Sequence, residues 1–178
     1  MLTLGIETSC DETSVAFVED GQRVLSCVIA SSQKNFAHMG GVIPEYAARS
    51  QLECILPTLK AAEEKAGKKI SDCDLIAVTA YPGLLGSLLV GTATARTLSF
   101  VYKRPLIAVH HTLGHLSSTW LCDSNGTKNS PEFPILTLSV SGGHSDIWYR
   151  TSHTIGERIG TTRDDAAGEA FDKGATLL

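Results

Sequence analysis

Two short runs, DLIAVTA (residues 74–80) and PLIAVH (residues 105–110), are apolar without alternation, and each is followed by a stretch long enough to form a helix. Strands of that kind bury both faces, the condition of a parallel sheet joined by crossover helices. The segment between them, LLGSLLVGTATARTLSFVY, is entered through the turn YPG and reads as the crossover. Upstream lie three β-rich runs, LTLGIET, VAFVE and RVLSCVIAS, the last two joined by Asp20-Gly21, a strong hairpin signal. The segment PEYAARSQLECILPTLKAAEEKAG has helical spacing, with Leu52, Ile55, Leu56 and Leu59 expected on one side. Pro44 suits its first turn and Gly67 its stop, while Pro57 is expected to kink or divide it. A short helix over residues 111–120 follows the second apolar strand. The order βββ-α-β-α-β-α defines an α/β unit opened by a hairpin, its sheet expected to be covered on both faces.

After the polar run CDSNGTKNSPE the opening pattern recurs: PILTLSV is a strand, SGGH a tight turn, SDIWYR and TIGERIG further strands, and DDAAGEAFDKGATLL a helix. The division expected is a first lobe over 1–121, a linker over 122–133 and the start of a second lobe over 134–178. Such duplication places ligand phosphate between the two turns. The second lobe lacks the βαβα that completes the first, so the sequence reads as a fragment with an unfinished sheet.

Composition narrows the function classes. Hydrophobic residues are 43% and charged residues 19%, a globular balance that excludes general disorder. The net charge of −4 supplies no general attraction for polyphosphate, so nucleic-acid binding would need a local patch or a basic partner. Five cysteines without a CxxC pair read as reduced thiols. The most apolar stretch, residues 84–101, carries Gly86, Ser87, Gly91, Thr92, Thr94 and Arg96, and so does not read as a bilayer span of about 20 mainly apolar residues. The opening MLTLGIETSCDE has no basic leader, and the expected compartment is the cytoplasm, with no membrane partner.

Within HHTLGH, His111 and His115 stand four residues apart, on one face of a helix, where both can ligate a single metal ion. Two imidazoles favour Fe, Zn, Ni or Cu over Mg or Ca and make half a site, a carboxylate being the expected further ligand. Two polar histidines at a helix start are the structural alternative. His110 points about a quarter-turn away and is expected to orient a neighbour or face substrate. A zinc-peptidase reading fails because Thr112 stands where HExxH enzymes place their Glu. The run SVSGGHS is either a plain hairpin or a phosphate cradle. The turn TSCDETS offers hydroxyls beside Asp11 and Glu12, whose charge should raise the Cys10 thiol pKa and disqualify it as a nucleophile. Gly83, Gly86 and Gly91 lack the GK[ST] of a nucleotide loop and are expected to permit a tight turn and close helix packing. Asp164, Asp165, Glu169 and Asp172 form either a solvated acidic face or a ribose contact, with Asp165, Glu169 and Asp172 expected on one side of the last helix.

Taken together, GIETSCDETS, GGVIPEYAARS, PGLLGSLLVGTATAR, VHHTLGH, SVSGGHS and DDAAGEAFDK occur in the order and spacing of the TsaD family, formerly called glycoproteases, which the chain resembles from residue 2 to its last residue. The resemblance covers about the N-terminal half of a usual member. It implies an α/β fold of the actin, Hsp70 and sugar-kinase superfamily, ribonuclease H-like, with duplicated lobes, the second incomplete here. It implies transfer of a threonylcarbamoyl group from threonylcarbamoyl-AMP to the exocyclic amine of the adenosine 3′ of the anticodon, in tRNAs that read codons beginning with A. His111 and His115 resemble its metal ligands, for Fe2+ or Zn2+. Ser139, Val140, Ser141, Gly142 and Gly143 resemble its adenylate-binding segment, Asp172 a further substrate contact, and Asp11 and Glu12 its important acids. Implied partners are tRNA, a TsaB-like paralogue, a TsaE-like ATPase and a TsaC-like donor-producing enzyme. The family's third metal ligand, an Asp, and later Gly- and Asn-containing contacts lie beyond this sequence. Gln51 stands where the family commonly has His, and Tyr81 where a small residue is usual. Two rivals remain: a non-catalytic module that pairs with a paralogue, and a superfamily phosphotransferase, which HHTLGH disfavours because such kinases hold Mg on carboxylates.

Overall fold

The computed structural model describes residues 1–31, 43–122 and 131–177. The expected loop through Gly40 and Gly41, and most of the expected 122–133 linker, lie outside the described residues. Contacts cluster into two compact units, one within Met1–Gly114 and Leu121–Lys128, the other within His115–Trp120 and Asn129–Leu178.

In the first unit, β1 (Leu2–Glu7), β2 (Glu12–Glu19), β3 (Arg23–Ser31), β4 (Leu75–Tyr81) and β5 (Leu106–His110) form one sheet in the order β3-β2-β1-β4-β5. The hairpin strands are antiparallel, whereas β4 pairs parallel with both β1 and β5. Asp20 and Gly21 both take left-handed φ, 52° and 70°, as the two-residue turn requires. Helix α1 (Pro44–Ala66) packs on β2 and β3, helix α2 (Leu85–Tyr102) packs on β4, and the helices touch each other. Beneath them Leu4, Ile6, Val15, Phe17, Ile55, Leu59 and Ile76 form a closed core. Each fully buried side chain of this size contributes about 1.5–3 kcal/mol.

Three expectations are corrected in this unit. Helix α1 runs unbroken through Pro57, because Pro57 and Glu53, whose carbonyl loses its donor, both lie on the solvent side. Its buried stripe is Ala47, Gln51, Ile55, Thr58, Leu59 and Ala62, so Leu52 and Leu56, at 66% and 68% exposure, form an outer ridge instead. As the edge strand, β5 leaves Leu106 and Ile107 exposed, so the sheet is not covered on both faces there. Gly67 ends α1 as expected, at φ 62°, its N–H bonding to the carbonyls of Glu63 and Glu64.

Helix α3 (His111–Ser117) follows β5 directly and continues as a 3-10 turn over Ser118–Trp120. In the second unit, β6 (Ile135–Val140), β7 (Ser145–Arg150) and β8 (Gly156–Thr161) form an antiparallel sheet, followed by α4 (Ala167–Leu177). Both units thus open with three antiparallel strands. Arg150 anchors the second. Only 1% exposed, it donates to the carbonyls of Leu116 and His153, each at 2.7 Å, and its guanidinium lies over the rings of Trp120 and Phe133. Burial holds its pKa below the ordinary arginine value. One sheet face is bare: Leu136, Leu138 and Val140 on β6, with Ile147 and Tyr149 on β7, are all exposed. Helix α4 begins later than DDAAGEAFDK suggested, so Asp164 and Asp165 precede it; the Thr162 hydroxyl bonds to the Asp165 carbonyl and stabilises a turn there.

Candidate functional site

The parallel strands β1, β4 and β5 all point their carboxyl ends to one edge of the first sheet, the edge where open α/β sheets bind ligands. Strand β2, antiparallel to β1, starts there too. This edge therefore carries Glu7, the loop Thr8–Asp11, Glu12, Thr79, Tyr81, His110 and the first turn of α3. Asp11 and Glu12, expected as functional acids, and His111, an expected metal ligand, all come to this edge.

The loop after β1 is rigidly held. The Gln51 side-chain amide donates to the carbonyls of Cys10 and Glu12, at 3.1 and 2.9 Å, and reaches that of Thr8 at 3.4 Å. The Ser87 hydroxyl donates to the Cys10 carbonyl, the Leu84 N–H to that of Ser9, and the Thr8 hydroxyl to that of Ser87, each at 2.8 Å. The glycines of the α2 entry permit this approach. A Cβ at Gly83 would stand 2.5 Å from the Ser9 carbonyl oxygen, and one at Gly91 2.4 Å from Thr8 Oγ1. As expected, the Cys10 thiol is pushed up to about 11, by burial first and by Asp11 next, so it holds little thiolate.

At the centre of the edge is a side chain that the motifs left unassigned. Glu7 Oε1 accepts from the Ser9 N–H at 2.5 Å; Oε2 accepts from the Thr79 hydroxyl at 2.5 Å and stands 3.1 Å from His111 Nδ1. Ser9 Oγ lies 3.0 Å from the same ring nitrogen. Burial alone would raise the Glu7 pKa, but the bonds with His111, Ser9 and Thr79 outweigh it and hold the carboxyl down at about 2. His110 closes β5 rather than standing on the helix; its Nδ1 accepts the Thr112 N–H at 3.2 Å, and its ring meets Tyr81 edge-on. Glu7 could have been noticed as an acid closing an otherwise apolar strand, yet its partner is distant in sequence and no local pattern names it.

His111 and His115 lie one turn apart on α3, His111 half-buried and His115 exposed. Among the described residues no group of three or more His, Cys, Asp or Glu is placed to hold a metal. The donor chemistry fits: an imidazole whose Nδ1 faces a carboxylate is the usual arrangement of a metal-ligating histidine.

In the second unit, the turn after β6 is closed by bonds between Ser141 and His144. The Ser141 N–H donates to the His144 carbonyl at 2.8 Å, and the His144 N–H to Ser141 Oγ at 3.0 Å. Helix α4 starts against this turn: Ala167 N–H meets Ser145 Oγ at 2.9 Å and Gly168 N–H the Ser141 carbonyl at 3.2 Å. A Cβ at Gly168 would stand 2.7 Å from Gly142 Cα. Ser139 is half-buried, while Val140 belongs to the bare face. Asp172 is exposed on α4. Asp165, outside the helix, and Glu169 both pair with Lys173, at 2.8 and 3.0 Å. That pairing accounts for much of the acidic run as a solvated face.

The fold is an actin-like α/β one. Two structures from Pseudomonas aeruginosa share the architecture: one titled YeaZ (TM-score 0.51, 16% identity, 90% of this chain and 66% of that one), and an uncharacterized protein with similarity to peptidase YEAZ (TM-score 0.54, 18% identity, 89% and 63%). The family profile described as TsaD, tRNA N6-adenosine threonylcarbamoyltransferase, matches residues 23–178, and the chain belongs to that family. A relative of that name from Syntrophus aciditrophicus is 48% identical over 178 residues, which is 100% of this chain and 51% of the relative. Another from Bacillus subtilis is 47% identical over 178 residues, 100% of this chain and 50% of the relative. The chain thus spans about half the length of the curated relatives it matches. Among the described residues no helix is long and apolar enough to cross a membrane.

Proposed function

We propose that this chain supplies the N-terminal half of an enzyme that transfers threonylcarbamoyl from threonylcarbamoyl-AMP to the N6 amine of the adenosine 3′ of the anticodon, in tRNAs reading A-starting codons. The observation that carries this reading is the family match along the chain, and the strand-end placement of Asp11, Glu12 and His111 supports it. His111 and His115 would hold Fe2+ or Zn2+ with a further ligand outside this sequence. Such a metal supplies Lewis-acid polarisation of carbamoyl or phosphate oxygens.

The donor is an activated mixed anhydride, so the protein's task is orientation and charge stabilisation. The amine nitrogen bonds to the carbamoyl carbon, the bond to the phosphate oxygen breaks, and AMP leaves with that electron pair. Asp11 and Glu12 are assigned to the amine side, where one proton must be shed. Ser139, Val140, Ser141, Gly142 and Gly143 are assigned to the adenylate, and Asp172 to a further substrate contact. The reading carries with it a first lobe over 1–121, a linker over 122–133, a second lobe beginning at 134, and a cytoplasmic location. It also carries a TsaB-like paralogue, a TsaE-like ATPase and a TsaC-like donor enzyme as partners.

The test is transfer from labelled threonylcarbamoyl-AMP to unmodified tRNA by the chain extended to the length of its relatives, with its partners present. Label at the adenosine beside the anticodon is expected; none, under conditions where a full-length relative transfers, contradicts the proposal. The exposed ridge of Leu52 and Leu56 on α1, with Leu85 and Leu89 exposed on α2, favours a second reading for the 178-residue chain, as a module that pairs with a paralogue without turnover. A TsaB-like protein that co-elutes with this chain but not with a Leu52→Glu, Leu56→Glu variant would support it.

A further inference from the structure

Glu7, Ser9 and Thr79 have no role in the assignment above, yet Glu7 and Ser9 both reach the ring of His111 and Thr79 holds Glu7. Both Glu7 oxygens already receive donors, Oε1 from the Ser9 N–H and Oε2 from the Thr79 hydroxyl. A carboxylate so supplied is ionised and acceptor-only. His111 Nδ1, 3.1 Å from Oε2, therefore has to be the donor, and Ser9 Oγ at 3.0 Å shares the same proton as a second acceptor. In neutral imidazole a proton on Nδ1 places the lone pair on Nε2.

We propose that Glu7 is a positioning residue which, with Ser9, fixes His111 in its Nδ1–H tautomer, so that Nε2 is the nitrogen the helix offers as a metal donor. The choice is made across the sheet edge, from the last residue of β1 to the first of α3. Thr79, on β4, fixes the carboxylate in turn. Aim and tautomer of the ring are thus set by residues of β1, β4 and the loop after β1 before any ion arrives, and the bond to a carboxylate makes Nε2 the more basic donor. The metal part of this statement rests on the proposed function; the proton assignment does not.

The experiment is 15N NMR of the histidine rings in the 178-residue chain at about pH 8.5, well above the ordinary imidazole pKa of about 6.5. The His111 signals are assigned by their loss in His111→Gln. The expected pattern is a pyrrole-like Nδ1 and a pyridine-like Nε2 in the wild type, and a mixture of tautomers in Glu7→Gln. In Glu7→Asp the single tautomer should be largely restored, which a merely structural role for Glu7 would not require. The wild-type spectrum needs no variant to fold, and a pyridine-like Nδ1, or two pyrrole-like nitrogens, overturns the proposal; so does an unchanged single tautomer in a folded Glu7→Gln chain. Zinc titration of the same variants, in the chain extended to its relatives' length so that the further ligand is present, separates the two layers. An affinity about 10- to 100-fold weaker in Glu7→Gln supports the positioning role. A wild type with the expected tautomer but no zinc binding upholds the proton assignment and contradicts the metal reading.

Discussion

The two units open with the same three antiparallel strands and then part company. In the first, α1 and α2 close a core over the sheet, and the loop after β1 is tied from Gln51, Ser87 and Leu84. In the second, Leu136, Leu138, Val140, Ile147 and Tyr149 lie exposed on one sheet face, Arg150 is buried on carbonyls beside Trp120 and Phe133, and α4 leans on the Ser141–Gly143 turn. The contrast shows where precision resides: the first unit has a pre-set polar edge, while the second has a tight turn between Ser141 and His144 without a closed core behind it.

Removing the anchor of the second unit should break the contrast most severely. Arg150→Ala strips two buried carbonyls of their donor and empties the space over Trp120 and Phe133, at a cost of about 3–5 kcal/mol. Hydrogen exchange should then collapse across β6–β8 while β1, β2 and β4 keep their protection. Gly83→Ala and Gly168→Ala compare the same device in both units, since each would press a methyl group into a backbone across a turn. Each should cost about 1–3 kcal/mol. Loss of protection should be confined to the unit concerned, as peptide-resolved exchange would show.

Gln51→Leu withdraws the amide that ties the Asp11–Glu12 loop, and about 1–3 kcal/mol is expected in chemical denaturation. The smallest effect concerns Glu7. Its pKa falls from an ordinary 4.5 to about 2 on folding, so its contribution is full above 4.5 and is lost as pH falls through 2. The stability advantage of wild type over Glu7→Gln should narrow across that window in acid titrations followed by circular dichroism, by a modest amount because the group is 36% exposed.

Local chemistry was legible in the sequence. The Asp20-Gly21 turn, the Gly67 stop and the tight glycines of the α2 entry all follow from constraints that act within a few residues, and each occurs as read. The apolar strands and helix-length crossovers likewise settle the α/β order. What local pattern cannot carry is the choice of which apolar stripe meets the sheet. On α1 the core takes Ile55 and Leu59 and leaves Leu52 and Leu56 outside, because Ala47, Gln51 and Thr58 align with the sheet instead. Glu7 and Arg150 escaped notice for a related reason. One finds its histidine from the far end of the unit, and the other is a charged residue buried on carbonyls, a pairing no periodicity announces. At the candidate site, His111, Asp11 and Glu12 could be named from motifs, whereas the carboxylate that aims the ring could not.

The claim most exposed to test is that α3 presents a metal-binding pair. Elemental analysis of the chain extended to its relatives' length, purified without added metal, should find about one iron or zinc per chain, the occupancy of a single ion shared by both rings. His111→Ala and His115→Ala should each lose it. Full metal content retained in both variants would contradict the assignment.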